Sequence, residues 1–444
     1  MADTLIRDAR IVNEGEIFES DLRIENERIV QISPGIASQP GDHIVEAEGC
    51  YLIPGMIDDQ VHFREPGLTH KGTIATESRA AVAGGITSYM EMPNVDPATT
   101  SIEALENKFA IGASSSMANY SFYLGATEEN IEAIKRLDPT RHCGLKVFMG
   151  ASTGNLLVED PNALELIFRE APTLIVTHCE SGPLMAQNQK EILREKGSLN
   201  IEDHPRIRDV DACYVSSEYA VNLAKQYGSQ LHVLHITTAK ELAHFAPGPI
   251  EDKAITAEAC VHHLWFTQQD YSRLGNLIKC NPAIKGQQDK DALIEAIHTG
   301  RIDIIATDHA PHTLAEKEEP YPSAPAGLPL VQHALLTLMD HVAHQRLSIE
   351  QVVEKTAHNP AKRYAIRQRG YIREGYYADL VLIAPDQSTE VTEKSLLYKC
   401  GWSPFSGHTF RSSIRATWVN GARVFDGQNV LDGTGHAKAL SFDR

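Results

Sequence analysis

The chain has no long apolar run. No stretch approaches the roughly 20 residues that a bilayer requires, so no membrane span is expected. It is poor in cysteine, with seven in 444 residues and no Cys-x-x-Cys pair. The seven stand scattered at positions 50, 143, 179, 213, 260, 280 and 400. That pattern excludes a disulfide framework and a zinc knuckle, and points to free thiols in a reducing cytoplasm. A basic surplus is also missing. The formal charge is −18, which argues against general nucleic-acid binding. The N-terminus, Met1-Ala2-Asp3-Thr4-Leu5-Ile6-Arg7, lacks a basic region followed by an apolar core, so no secretory signal is read. No Gly-x-Gly-x-x-Gly follows an early strand, which counts against a doubly wound open sheet. There is no tandem repeat. What remains is the composition of a soluble globular protein, with 42% hydrophobic and 23% charged residues. An acidic chain can still take a small anion where its pocket is locally positive, so isolated Arg and His residues become informative.

Both ends of the chain are rich in short strands and the middle is not. Thr4–Val12, Asp21–Glu25, Arg28–Ile32 and His43–Glu46 are separated by Asn, Gly and Pro turns. Ala378–Ile383, Ser413–Val419 and Arg423–Phe425 have the same texture, with Asn420-Gly421 as a hairpin signal. The two ends, 1–52 and 371–444, are therefore expected to form one small composite β-sandwich domain. Residues 53–370 alternate strands with helices, as a parallel sheet requires. Candidate strands are Leu52–Ile57, Ile86–Met92, Tyr120–Leu124, Gly144–Met149, Leu174–His178, Leu231–His235, Ala254–Glu258, Leu277–Asn281 and Ile302–Thr307. The expected fold is α/β, a (β/α)8 TIM-type barrel. Nine candidates for eight strands make either Ala254–Glu258 or Leu277–Asn281 an extra segment. Glu316–Pro329, rich in Pro, Glu and Ala, reads as a loop near the barrel mouth.

The segment around Met56-Ile57-Asp58-Asp59-Gln60-Val61-His62-Phe63-Arg64 reads as a buried strand that ends in polar groups. Residues two apart share a strand face, which puts Asp58, Gln60, His62 and Arg64 on one side. Four other strand ends carry Lys146, His178, His235 and Asp308 with His309 and His312. Imidazoles with a carboxylate suit a divalent metal such as zinc. Each residue has a plainer reading. A lone His at a strand end can be a hydrogen-bonded structural residue, and Asp308 can cap a helix. Lys146 inside an apolar strand is either half of a buried Lys–Glu pair or a lysine converted by CO2 to a carbamate that bridges metals. Five strands delivering ligand-type residues to the same barrel end favour the metal reading.

The motifs resemble those of the amidohydrolase superfamily and, within it, the dihydroorotase branch. The match runs in order through His62-Phe63-Arg64-Glu65-Pro66-Gly67, Glu91-Met92-Pro93-Asn94, Thr177-His178-Cys179-Glu180, Leu234-His235-Ile236-Thr237-Thr238-Ala239, Lys279-Cys280-Asn281-Pro282, Thr307-Asp308-His309-Ala310-Pro311-His312 and Asn359-Pro360-Ala361-Lys362. The resemblance implies reversible, metal-dependent cyclisation of N-carbamoyl-L-aspartate to L-dihydroorotate. It implies one or two Zn2+ ions held by His62, His178, His235 and Asp308, with Lys146 as a carboxylated bridge. It assigns the substrate carboxylate to Arg64, Asn94 and His312, and the ring to Asn281 and the Ala326-Gly327 backbone. Asp308 would also be the catalytic acid–base. A homodimer acting on a small molecule, with neither nucleic acid nor membrane as partner, is the family-level expectation.

One position departs from the pattern. The first strand of the family carries His-x-His, and here the first of these is Gln60, a weaker zinc ligand than imidazole. Three consequences are open: Gln60 coordinates directly, a neighbour such as Asp58 compensates, or one metal is loosely held, and an active enzyme with a modified first metal site is the expectation. Two other readings stay open: a cyclic amidohydrolase of allantoinase or dihydropyrimidinase type, and an inactive homologue that supports aspartate transcarbamoylase.

Overall fold

The computed structural model describes residues 3–150, 156–431 and 435–444. Eight parallel strands form a barrel: Met56–Val61, Ile86–Glu91, Asn119–Phe122 continued by Leu124–Gly125, Leu145–Met149, Ile175–Cys179, Leu231–Val233, Ile255–Cys260 and Ile304–Ala306. The ring closes between the last strand and the first. Val61 bridges His309 in parallel, and the His62 amide donates to the His309 carbonyl at 2.7 Å. Nearly every barrel-strand residue is buried, because helices cover the outside and side chains fill the inside. The seventh strand is therefore Ile255–Cys260. Leu277–Asn281 is not a strand: Gly275–Ile278 makes a single 3-10 turn instead. A short apolar run is compatible with either state, and here no free sheet edge is available to it.

Helices start where the sequence supplies caps. Thr73 opens Ile74–Ala83 with a reciprocal capping box, Ser101 opens Ile102–Ser115, and Asp160 precedes Pro161–Glu170 with proline at its first turn. Asp209 caps Val210–Tyr227, which stops at Gly228 in the left-handed conformation. No helix among the described residues is long and apolar enough to cross a membrane. All seven cysteines are free thiols.

Strands from both chain ends share one eight-stranded sheet. Tyr51–Pro54 lies between Thr4–Asn13 and Leu380–Ala384, and Ser413–Val419 and Ala422–Phe425 extend that side. The first strand carries a bulge between Ile6 and Ala9. Before the bulge it pairs with His43–Glu46, and after it with Tyr51–Pro54. Ile6, Ile11, Leu22, Leu52, Leu380, Leu382 and Trp418 form the core of this β unit. Parts of 371–444 pack elsewhere. Tyr398, Phe405 and Phe410 join the main barrel core, and Leu440 and Phe442 close the barrel floor beside Tyr123 and Tyr364. Strand and turn texture reveals local conformation, but it does not reveal which surface an apolar side chain covers.

Candidate active site

One cavity of about 390 Å3 opens at the C-terminal ends of the barrel strands. Gln60, His62, Arg64, Asn94, Lys146, His178, His235, Asn281, Asp308, Ala326 and Gly327 all line it. Among the expected site residues, His312 stands one layer back, against Arg64. Pairing places the side chains at matching heights: Phe148 lies opposite His178, and Lys146 opposite Val176. Three of the non-glycine lining residues, Arg64, His235 and Asp308, have positive φ. Non-glycine residues adopt that region at a cost of ~1–3 kcal/mol, and such strain gathers where side chains must be aimed.

Asp58 does not share the pocket face. The register of the first strand shifts between Asp58 and Val61, which breaks the strict alternation expected there. The Asp58 carboxylate instead accepts from the Thr307 amide at 3.2 Å and the Thr307 hydroxyl at 2.6 Å, tying the last strand to the first. It is thus committed to closing the barrel and does not compensate for Gln60.

The nitrogen and oxygen donors converge in two groups. His62 Nδ1 lies 2.6 Å from Asn94 Oδ1, an acceptor, so Nδ1 carries the hydrogen. Its bare Nε2 faces Asp308 Oδ1 at 3.1 Å, and Gln60 Nε2 donates to the same oxygen at 3.2 Å. In the second group, His178 Nε2 gives its hydrogen to Glu180 Oε2 at 2.9 Å. That leaves His178 Nδ1 bare, 2.9 Å from His235 Nε2. Burial pushes the pKa values of His62, His178 and His235 below the usual imidazole range, so neutral rings are favoured. Neutral imidazoles with bare nitrogens, one of them oriented by a carboxylate, are the form in which histidine holds a metal. Lys146 is buried, its ammonium 4.6 Å from the Phe148 ring centre. Burial lowers its pKa to about 8. No ion pair or hydrogen bond of Lys146 to a carboxylate is present among the described residues, so the Lys–Glu pair is not what this position makes.

The other wall is cationic. Arg64 Nε donates to the Pro311 carbonyl at 3.0 Å, which fixes the guanidinium plane. Lys71 Nζ donates to His312 Nδ1 at 3.1 Å. The His312 hydrogen therefore sits on Nε2 and points at the Ala326 carbonyl, 3.0 Å away. Arg64 Nη2 also lies 3.0 Å from that Nε2, which already bears a hydrogen and cannot accept. Burial, then the charges of Arg64 and Lys71, hold His312 neutral, far below its usual range. Burial also lowers Arg64 to about 10, which leaves it a cation at neutral pH.

Sequence reasoning missed Arg208, which lines the cavity and forms an ion pair with Glu180. Burial alone would raise the Glu180 pKa, but Arg208 and His178 outweigh it and hold it at about 2. Arg208 follows a short helix far from any strand end, and its one sequence signal is a His-Pro-Arg-Ile-Arg run in an acidic chain. Also unanticipated is a charged layer within the barrel. His232 lies 3.3 Å from Asp59 and 3.7 Å from Glu258, all fully buried. Burial disfavours its charge, yet the two carboxylates prevail and raise it to about 8. Glu258 in turn accepts from the His235 amide at 3.1 Å, so this layer supports a pocket residue from below.

Residues 51–424 match the model of the Amidohydrolase family, which covers most of the chain. The chain belongs to the amidohydrolase family. Among curated amidohydrolase relatives, it is 33% identical over 434 residues to a dihydroorotase of Halobacterium salinarum, covering 96% of this chain and 97% of the relative. It is 32% identical over 440 residues to an allantoinase of Solibacter usitatus, covering 97% and 95%. Among solved structures, the L-hydantoinase (dihydropyrimidinase) of Arthrobacter aurescens superposes with a TM-score of 0.92 at 25% identity, covering 99% of this chain and all of that one. These likenesses establish an amidohydrolase barrel and a cyclic amidohydrolase setting. The convergent bare nitrogens and the Asp308 carboxylate fit the divalent metal that such chemistry uses.

Proposed function

We propose that the protein is a dihydroorotase that interconverts N-carbamoyl-L-aspartate and L-dihydroorotate in pyrimidine synthesis. The observation that carries this reading is Arg64. It is a buried guanidinium on the pocket wall, held by a carbonyl, beside a neutral His312 that does not accept from it, and without an acidic partner among the described residues. A buried, unpaired cation is costly, and a substrate carboxylate relieves that cost. Dihydroorotate carries a carboxylate, whereas a plain hydantoin ring does not. The dihydroorotase relative at 33% identity supports the same reading.

His62, Lys146, His178, His235 and Asp308 would hold zinc, which would supply a polarised amide carbonyl and a water of lowered pKa. The neutral amine of Lys146 is the form that would add CO2, releasing one proton, to give a carbamate. Gln60 then contributes through its amide, whose Nε2 already orients Asp308. In ring opening, Asp308 takes a proton from the attacking water and returns it to the ring nitrogen as the C–N bond breaks. Ring closure is the reverse. Arg64 offers a planar fork for the carboxylate, with Asn94 and His312 flanking it. Asn281 and the Ala326-Gly327 backbone line the same pocket and would meet the polar edge of the ring.

The allantoinase and hydantoinase likenesses motivate a second reading, a neutral cyclic amide as substrate. Turnover of L-dihydroorotate, allantoin and hydantoin by the purified protein with zinc and bicarbonate separates the two. Dihydroorotate is expected to be opened fastest. Hydrolysis of allantoin or hydantoin with dihydroorotate untouched would replace this assignment, and turnover of none of them would favour an inactive homologue.

A further inference from the structure

Beneath Gln60, away from the cavity lining, the structure holds a second cluster of metal-type donors that the mechanism above does not use. Cys260 ends the seventh barrel strand, and His262 and His263 open the short helix Val261–Trp265 that follows. All three are buried, and one donor atom from each lies within 4.8 Å of the other two. The two imidazole rings lie 3.9 Å apart between centres, with their planes tilted by 41°. His263 Nε2 donates to the Pro282 carbonyl at 3.1 Å, so its Nδ1 is bare, and that Nδ1 has no hydrogen-bond partner among the described residues. Neither nitrogen of His262 makes a hydrogen bond there either. The Thr307 carbonyl is near enough to raise its basicity but does not meet hydrogen-bond geometry. By contrast, both ring nitrogens of the buried His309 are used: Nε2 meets Glu77 at 2.9 Å, and Nδ1 accepts from the Leu330 amide at 2.9 Å. Buried polar atoms are normally paired, so three orphaned ring nitrogens around one thiol call for a partner.

We propose that Cys260, His262 and His263 form a metal site of their own, which takes zinc or another thiophilic divalent ion. A thiolate with imidazoles is a zinc donor set, distinct in chemistry from the imidazole and carboxylate donors at the barrel mouth. On binding, the Cys260 S–H bond breaks, its proton passes to solvent, and the sulfur electron pair goes to the metal. His263 binds through Nδ1 and keeps its Nε2–H on Pro282, and His262 binds as a neutral ring. The thiolate and a divalent ion leave one positive charge. Glu258 Oε1, 3.3 Å from the sulfur, is placed to offset it. The amide oxygen of Gln60, 3.8 Å from the sulfur, is the neutral oxygen that faces this site. An ion here therefore fixes the same Gln60 amide whose nitrogen donates to Asp308. The Asp59–His232–Glu258 layer is not a competing candidate, because the two carboxylates keep His232 protonated and a protonated ring has no bare nitrogen to offer a metal.

Cobalt replacement of zinc in the full-length protein tests this. A cobalt–thiolate bond absorbs intensely in the near ultraviolet by charge transfer, and the nitrogen and oxygen donors at the mouth cannot produce that band. The band is expected in the wild type and in Cys280→Ser, and it should vanish in Cys260→Ser, with metal content falling by one ion per chain. Cys280 is the control because its sulfur lies 3.6 Å from His263 Nε2. A wild-type cobalt protein without the band, or a Cys260→Ser variant that keeps both the band and the metal, would overturn the proposal. Should Cys260→Ser fail to fold, X-ray absorption at the zinc edge of the wild type decides it: a sulfur neighbour supports the site, and a shell of only nitrogen and oxygen refutes it. None of these readouts depends on which cyclic amide the enzyme opens.

Discussion

Replacing Arg64 by alanine removes a buried guanidinium from the pocket wall and leaves His312 and Lys71 behind. The expected loss follows from the geometry. The Nε–H is committed to Pro311, which leaves the outer edge of the fork for the carboxylate of the proposed substrate. Truncating one partner of a buried, hydrogen-bonded charge pair costs about 2–5 kcal/mol. Taking about 4 kcal/mol, and about 1.36 kcal/mol per decade, the loss in kcat/KM is nearly 1,000-fold. The carboxylate lies away from the bond that breaks, so its contacts are much the same in the ground and transition states. The loss should therefore fall on KM and leave kcat within a few-fold. Arg64→Lys keeps the charge but loses the fork, and should recover about half of that free energy. Steady-state kinetics on L-dihydroorotate, with hydantoin as a ring lacking the carboxylate, measure this. An unchanged KM for dihydroorotate, or an equal loss on hydantoin, would refute the carboxylate role of Arg64.

Gly327 has φ near +140°, and a Cβ there would meet the Ala310 carbonyl oxygen at 2.3 Å. Gly327→Ala should therefore displace the Ala326-Gly327 wall and lower kcat/KM at least tenfold, read by the same kinetics. Glu77 and His309 form a fully buried pair that braces the barrel closure. Glu77→Ala leaves the buried His309 ring nitrogen without a partner and should cost about 1–3 kcal/mol, measured by the denaturant midpoint. Lys317 donates to the carbonyls of Lys279, Pro325 and Gly327, and burial lowers its pKa to about 7 from 10.5. Between those values the unfolded chain holds a proton that the folded chain has released, so this group makes stability rise with pH across that window. Lys317→Met should flatten that rise in urea unfolding, and an unchanged slope would contradict the assignment.

Much of the fold follows from local pattern. Alternating apolar strands and capped helices set the parallel barrel, and Ser413–Val419 and His43–Glu46 form strands with the bounds the sequence implies. Ligand-type residues at strand ends were also legible, because the C-terminal end of a barrel strand necessarily opens on the mouth. His62, Lys146, His178, His235 and Asp308 reach one cavity for that reason. Three things were decided only by tertiary contacts. Asp58 left the pocket because a register shift, invisible in a two-residue period, turned it to Thr307. Leu277–Asn281 lost strand pairing because the eight-stranded ring was already complete. Arg208 reached the cavity, and Asp59, His232 and Glu258 met inside the barrel, from three strands whose sequence separation carries no pairing signal. Periodicity reports which side a residue faces on its own element. Which charge it meets there depends on chain closure over hundreds of residues, and that is set by packing of the whole core.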